Sequence, residues 1–265
     1  MTMKRGAQNK RVRRLQKRLA DAGHEITADG VFGPQTEAAV RAFQDSEGLL
    51  VDGIAGPRTL KALDGERDAR DLTEADIRKA ADRLNVDVAT VHAVAEVESR
   101  GDGFFKDGRP ALLFERHIMK RQLSESGVDP APHQQQRPDL VNSKPGGYLG
   151  GVKEHHRLGD ASGIHPCAAV ESASWGRFQI MGFHWEHLGF ASASAFRGAM
   201  ECGEGEHLQA FAGFVLADEA MHAALKERDW AGFAERYNGP NYRKNRYDEK
   251  LKEAYQRHSR AQEES

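Results

Sequence analysis

Cysteine is scarce in this chain of 265 residues, with only Cys167 and Cys202 present. Two cysteines are too few for a disulfide framework, and neither belongs to a C-x-x-C motif or has zinc-site spacing. This scarcity argues against a disulfide-stapled scaffold and a cysteine-based zinc fold. We expect both cysteines to be free thiols.

Long apolar runs are also missing from the sequence. No stretch reaches the roughly 18 apolar residues that a membrane-spanning helix needs. The opening segment, MTMKRGAQNKRVRRLQKRL, is basic but lacks the apolar core of a secretory signal. We therefore expect no stable membrane insertion, and accumulation in the cytoplasm unless another agent releases the protein.

Charge of one sign does not dominate, because the formal net charge is −2. With 39% hydrophobic and 29% charged residues, the composition is that of a globular protein with one large domain or two ordinary ones. Positive charge is concentrated locally, since eight basic residues precede Asp21, the first acidic one. Such an arm favours a polyanion, or it is simply the solvated face of a first helix.

An internal repeat marks the first part of the chain. DGVFGPQTEAAV at residues 29–40 recurs as DGIAGPRTLKAL at residues 52–63. In each copy an Asp-Gly turn leads through Gly-Pro into a helix. A further stripe of Val12, Leu15 and Leu19 precedes the repeat and stops at a glycine. Residues 9–63 are thus predicted to form a small three-helix unit.

This repeat, with LQKRLADAG before it and AVRAFQDSEGLLVDG between its copies, resembles the peptidoglycan-binding domain type 1 family. The resemblance implies a noncatalytic module that docks on cell-wall polymer. A hydrophilic stretch follows, and we divide the chain into a binding domain (1–65), a linker (66–72) and a second domain (73–265). Thr73 and Asp76 are spaced as a capping box that opens the second domain.

The stretch VHAVAEVESRG contains two glutamates that an α-helix separates sharply. At about 100° per residue, Val91, Val94 and Glu98 share the core-facing stripe, while Glu96 lies about 160° away and is expected to face water. A carboxylate directed into apolar surroundings has a raised pKa and can deliver a proton near neutral pH. From the helix alone, Glu98 is a general acid or a buried glutamate paired with Arg109 or Arg116.

Two later segments place amides beside aromatic rings. Gln179 lies between Phe178 and Ile180 in SASWGRFQIM, and Asn238 follows Tyr237 in ERYNGP. An aromatic ring can cover the apolar face of a sugar while an amide binds its hydroxyl or acetamido groups. Taken singly, each is better explained by structure, as a buried amide or an ordinary turn.

In their order, these segments resemble the lysozyme-like superfamily of goose-type lysozymes and soluble lytic transglycosylases. VESRGDGFFKDGRPALLFERHIM, SASWGRFQIMGFHW and DWAGFAERYNGPNY are most similar to the N-acetylmuramidase domain of modular endolysins from phages of Gram-negative bacteria. The resemblance implies a mainly α-helical, lysozyme-like second domain with Glu98 as the catalytic acid. The expected substrate-binding residues are Ser174, Trp175, Gln179, Tyr237 and Asn238.

The implied reaction cleaves the β-1,4 bond between N-acetylmuramic acid and N-acetylglucosamine in peptidoglycan. A hydrolase usually needs a second carboxylate. Glu115 in LLFERH is the best candidate, or it forms only an ion pair with Arg116 or His117; Asp102 and Asp107 are loop alternatives. A lytic transglycosylase needs no second carboxylate and leaves 1,6-anhydro ends. The role of Glu171 stays open.

Other classes of function fit less well. The histidines, including the pair His155 and His156, lack the spacing of a metallopeptidase, and the second domain has no nucleic-acid-binding motif. A degenerate binding protein would have lost Glu98. We expect a monomer that binds bacterial peptidoglycan, uses no cofactor or metal, and lyses the host from its cytoplasm after membrane permeabilisation. Residues 124–151, rich in Pro, Gln and Gly, are expected to form a long loop over the cleft.

Overall fold

The structure, a computed structural model, describes residues 2–98, 103–240 and 242–263, without the side chains of Glu98 and residues 261–263. The chain divides into two compact units, Met1–Ala81 and Asp82–Ser265. Both are built mainly from α-helices, as the sequence predicted. The boundary falls inside a helix, α4 (Glu74–Leu84).

The first unit contains the three predicted helices, α1 (Lys10–Asp21), α2 (Pro34–Ser46) and α3 (Pro57–Leu63). Proline occupies the first turn of α2 and α3, where a missing N–H costs no helical hydrogen bond. The predicted stripe on α1 is buried and joins a core cluster with the later helices. The largest members of this cluster are Met3, Val12, Leu15, Leu19, Phe32, Val40 and Phe43.

A buried glutamine explains why the repeated turn needs its particular residues. The Gln16 side-chain amide donates to Asp29 Oδ1 at 2.8 Å and to Thr36 Oγ1 at 2.9 Å, while its oxygen accepts from the Gly30 N–H. Gln44 makes the equivalent bonds in the second copy, to Asp52, Thr59 and Gly53. The aspartate and threonine of D-G-φ-x-G-P-x-T are therefore partners of a glutamine from the preceding helix.

The segment between the predicted domains is held against the first unit. Leu72 is buried, and the Asp71 carboxylate pairs with Arg58 at 2.8 Å. The predicted capping box at the start of α4 is present, because Thr73 Oγ1 accepts from the Asp76 N–H and Asp76 accepts from the Thr73 N–H. The first turn of α4 also belongs to this unit, since the Glu74 carboxylate accepts from the Val51 N–H.

The second unit is a helical body with one small sheet. Its helices, after the shared α4, are α5 (Val88–Glu98), α6 (Arg116–Glu125), α7 (Pro130–Gln136), α8 (Lys153–Ser162), α9 (Pro166–Glu171), α10 (Ala193–Cys202), α11 (Glu204–Leu216), α12 (Glu219–Glu227), α13 (Trp230–Asn238) and α14 (Tyr247–Glu263). Short 3-10 turns cover Gly182–His184 and Tyr242–Asn245.

The sequence analysis predicted one long loop over residues 124–151. The structure shows that this prediction was wrong, because the stretch contains a helix. Helix α7 forms inside this stretch because Asp129 caps it, accepting from the Ala131 N–H at 3.0 Å, and Pro130 occupies the first turn. The irregular part is therefore confined mainly to the residues after α7.

The sheet consists of β1 (Leu112–Phe114), β2 (Ala173–Trp175) and β3 (Ile180–Met181), antiparallel and in that order. The core of the unit lies behind one of its faces. Among the described residues, no helix is long and apolar enough to cross a membrane.

Candidate functional site

The sheet has two different faces because successive side chains along a strand alternate. Leu112, Phe114 and Trp175 are buried in the core. Leu113 and Ser174 are register partners, and Ser174 pairs in turn with Met181, so these three share the opposite face. Leu113 and Met181 are half-buried there. This face carries Ser174, one of the polar residues that the sequence singled out.

Ser174 and Gln179 are brought together by the turn that joins β2 to β3. The Ser174 hydroxyl donates to Gln179 Oε1 at 2.8 Å, and the Gln179 amide donates to the Gly176 carbonyl at 2.8 Å. Gln179 has a left-handed backbone with φ of 51° and is exposed. Its amide is thus oriented at the surface by two bonds and has capacity left for a ligand.

Trp175 does not lie on this surface. Its side chain is 1% exposed, its ring packs edge-on against Phe196 at 6.3 Å, and its indole N–H donates to the Val170 carbonyl. Because β2 alternates, the residue after Ser174 must point to the opposite face. The predicted contact of Trp175 with substrate is not supported by this position, which is that of a core residue.

Glu115 directly follows β1 and extends its ladder, since its N–H donates to the Ser172 carbonyl at 2.8 Å. Two residues from Leu113 in extended backbone, it lies on the same side of the sheet as Leu113 and Ser174. The Tyr148 hydroxyl donates to it, 2.8 and 2.9 Å from its two carboxylate oxygens. The side chain is 16% exposed.

The two basic neighbours proposed for Glu115 behave differently. His117 Nδ1 is 3.2 Å from the carboxylate, an electrostatic contact without hydrogen-bond geometry. Arg116 is directed elsewhere and donates to the carbonyls of Lys144 and Pro145 at 2.9 and 3.0 Å. Glu115 is therefore held mainly by a neutral phenol.

Tyr237 and Asn238 form the C-terminal end of α13 and are both half-buried. The Tyr237 hydroxyl donates to the Phe178 carbonyl at 3.0 Å, which ties α13 to the residue before Gln179. The ring of Tyr237 stacks on Phe233 with an interplanar angle of 7°. Tyr237 thus positions the β2–β3 turn, and Asn238 follows it at the helix end.

A buried polar cluster behind this turn was not recognised in the sequence. Glu204, 1% exposed, accepts from the Gly103 N–H at 2.6 Å and pairs with Arg177 at 3.1 Å. His207 Nδ1 accepts from the Arg177 N–H, and its Nε2 lies 2.8 Å from the Met200 carbonyl. The sequence did contain a sign of this cluster: Glu204 and His207 are three residues apart, a spacing that puts both on one face of α11.

This cluster requires glycine at positions 103 and 176 and determines which ring nitrogen of His207 carries the proton. A Cβ at Gly103 or Gly176 would lie 2.7 or 2.6 Å from His207 Nδ1, so both backbones approach more closely than other residues allow. Burial lowers the pKa of His207, so its ring is neutral at pH 7, with the proton on Nε2. Gly103 is thereby anchored where the described chain resumes after α5.

Helix α5 ends at Glu98, and the stripe predicted on it is buried at Val91 and Val94. The Glu98 side chain and Asp102 lie outside the described residues. Glu96 was wrongly expected to face water. Its carboxylate lies 2.9 Å from His258 Nε2 and also pairs with Arg257, because α14 covers this side of α5.

The remaining carboxylates have clear structural partners. Asp107 is exposed in a turn and pairs with Arg109 at 2.6 Å, and hydrogen bonds from Arg109 lower the pKa of this carboxyl group. Glu171 accepts from the indole N–H of Trp185 at 2.8 Å. Within the described ranges, no three His, Cys, Asp or Glu side chains are grouped as metal ligands would be. Both cysteines are free and exposed.

The chain thus comprises a three-helix unit with an internal repeat and, after it in sequence, a helical unit with one small antiparallel sheet. Residues 87–259 match the N-acetylmuramidase family, and residues 8–63 match the peptidoglycan binding domain family. The chain belongs to the N-acetylmuramidase family, and the predicted order of a binding module followed by a muramidase domain is confirmed.

One solved structure is similar over nearly the whole length. The crystal structure of the Burkholderia AP3 phage endolysin has 51% sequence identity and a TM-score of 0.93, with 98% of each chain covered. No match was found among curated protein sequences.

Proposed function

We propose that the protein is a phage endolysin that hydrolyses the β-1,4 bond between N-acetylmuramic acid and N-acetylglucosamine of bacterial peptidoglycan. The observation that carries this proposal is the match of residues 87–259 to the N-acetylmuramidase family, within a chain 51% identical to a phage endolysin. The peptidoglycan binding domain at residues 8–63 supports the same polymer as substrate.

In this proposal Glu98 is the proton donor. It ends a helix that is buried at Val91, Val94 and Ala95, so its backbone emerges from an apolar layer. Protonation of the glycosidic oxygen by a carboxylic acid assists departure of the leaving sugar while positive charge develops on the muramoyl ring. One described residue on each side of it has a buried partner: Glu96 is bound by His258, and the Gly103 N–H is bound by Glu204.

Glu115 is the proposed second carboxylate. It is partly buried, lies on the same side of the sheet as Ser174, and accepts from a phenol rather than from a formal cation at hydrogen-bond geometry. A carboxylate at this position would activate water or stabilise the developing positive charge. Ser174, Gln179 and Asn238 are the proposed contacts to sugar hydroxyl and acetamido groups, with Tyr237 holding the turn that presents Gln179.

Transglycosylation is the second candidate reaction. Both oxygens of Glu115 are already within hydrogen-bond distance of Tyr148, which also fits a purely structural carboxylate. In that case the muramoyl 6-hydroxyl would attack and a 1,6-anhydro end would form.

Mass spectrometry of purified peptidoglycan digested by the protein tests the proposal. Hydrolysis predicts soluble muropeptides with reducing muramic ends. Products lighter by one water would assign transglycosylation instead, and fragments cut within the peptide would contradict glycan cleavage altogether. In the host, the proposed enzyme is made in the cytoplasm and reaches the wall through a membrane lesion, where it acts without a cofactor or a nucleic-acid partner.

A further inference from the structure

Exposed apolar side chains are concentrated in one short loop of the second unit. Four large hydrophobic side chains are exposed among the described residues. Three of them are Tyr148, Leu149 and Val152, which are 46%, 59% and 36% exposed. All three belong to residues 145–152, PGGYLGGV, here called the glycine-rich loop. Isolated exposed apolar residues are ordinary, but a contiguous group commonly marks a binding surface.

The backbone of the glycine-rich loop is fixed by hydrogen bonds to side chains outside it. The buried carboxylate of Glu154 accepts from the N–H groups of Leu149 and Gly150 at 2.6 and 2.9 Å, and pairs with Arg157 at 2.8 Å. At the other end, Arg116 donates to the Pro145 carbonyl. A loop fixed in this way presents its side chains without a large ordering cost on binding.

Glycines make this presentation possible. Gly146, Gly147, Gly150 and Gly151 all have positive φ, between 56° and 91°, and they flank Tyr148 and Leu149 on both sides. At Gly147 an added Cβ would also lie 3.1 Å from the Arg116 guanidinium. The backbone therefore turns sharply before and after Tyr148 and Leu149, and both side chains are left exposed.

The loop is continuous with the candidate catalytic surface. Tyr148 donates its hydroxyl to Glu115, which lies on the same side of the sheet as Leu113 and Ser174. Burial and the bond to Glu115 raise the pKa of Tyr148, which keeps the phenol protonated as a donor. An exposed aromatic ring thus lies in contact with a carboxylate, and the next residue in the chain, Leu149, is also exposed.

We infer that Tyr148 and Leu149 form an additional sugar-binding platform, on which a pyranose ring of the glycan strand rests next to Glu115. This inference rests on the proposed function. A pyranose has an apolar C–H face, which the tyrosine ring and leucine cover, and a polar rim, which Glu115 can bind. The carboxylate disfavours a partner as rich in carboxylates as the stem peptide, so the platform recognises glycan rather than peptide.

Steady-state kinetics on glycan strands freed of stem peptides test this inference. For Tyr148→Ala and Leu149→Ser, we expect KM to rise about five- to tenfold, because each loses apolar contact area with the sugar. Val152→Ser, at an exposed apolar position of the same loop outside the platform, is the matched control, with KM expected within about twofold of the wild-type value. Equal melting temperatures show that the loop variants remain folded.

Three outcomes overturn the inference while leaving the proposed function intact. They are an unchanged KM in both Tyr148→Ala and Leu149→Ser, a KM in Val152→Ser raised as far as in Tyr148→Ala, or wild-type protein that cuts intact wall but not peptide-free strands. A wild-type protein that releases no muropeptides from intact wall instead contradicts the proposed function itself.

Discussion

The carboxylate of Glu96 lies 2.9 Å from Nε2 of His258, a histidine whose side chain is only 4% exposed. His258 stacks on His92 of α5 at 4.7 Å between ring centres, so the pair joins the helix that carries Glu98 to α14. Glu96 is therefore part of the support of that helix.

Replacing Glu96 by glutamine should destabilise the protein by about 1–3 kcal/mol at neutral pH, because it weakens a charge-assisted bond to a buried ring. Chemical denaturation measures this change. Glu253→Gln, at an exposed position on α14, the helix that carries His258, is the control and should change stability by less than about 0.5 kcal/mol. Equal stability of the two variants would show that the Glu96 contact contributes nothing.

The same contact predicts a dependence on acid. Burial alone would raise the pKa of Glu96, but the bond from His258 and the charge of Arg257 outweigh it, and the pKa is lowered. A lowered folded-state pKa contributes stability above the unfolded value that is lost as pH falls through the folded value. The stability difference between wild type and Glu96→Gln should shrink below about pH 4. A constant difference down to pH 2 would contradict this assignment.

Gln44→Ala should destabilise the first unit by about 2–4 kcal/mol, since it leaves Asp52, Thr59 and the Gly53 N–H without their shared partner. Hydrogen exchange of the α2 amides in the whole chain reports the loss. Gln35→Ala, at an exposed position of the same helix, should leave the exchange unchanged. If both variants exchange alike, the buried glutamine does not organise the repeat.

Gly176→Ala should cost about 2–4 kcal/mol, because it combines a positive φ of 69° with a Cβ placed 2.6 Å from His207. Gly127→Ala has a similar φ of 77° but open space around the added carbon, so it should show the strain alone. Thermal unfolding of the two variants separates these contributions. Similar melting temperatures would mean that His207 and its neighbours move to accommodate the added carbon without loss of stability.

Glu115→Gln should lower the rate of glycan cleavage by about 10²–10⁴-fold if Glu115 acts on water or on the developing charge. Glu125→Gln, at the far end of the same helix α6 and exposed, should retain the wild-type rate. Initial rates of muropeptide release measure both variants. A Glu115→Gln enzyme with the wild-type rate would leave Glu115 a structural role only.

Local sequence patterns correctly predicted helices and helix starts whose formation depends on residues close by in the sequence. The stripe of Val12, Leu15 and Leu19, the Gly-Pro helix starts and the Thr73–Asp76 box are all present. The family and the order of the two modules were also predicted correctly. Local patterns could not predict contacts between residues that are far apart in the sequence.

Glu96 illustrates the missing information. The helical wheel separated it correctly from Val91 and Val94, but the wheel does not show that α14, some 150 residues later, covers the second side of α5. The same applies to Glu204 and Gly103, which meet across about a hundred residues of sequence. Strand alternation, applied to SASW, would have placed Trp175 opposite Ser174 and thus in the core.

Glu98 is proposed to supply the proton for glycan cleavage, and the activity of Glu98→Gln tests this role most directly. Muropeptide release from purified peptidoglycan is measured for this variant beside Glu96→Gln, its neighbour two positions earlier, at equal concentrations of folded protein. We predict that Glu98→Gln releases essentially nothing, whereas Glu96→Gln keeps most of its activity at temperatures where it remains folded. Wild-type release by Glu98→Gln would contradict the account.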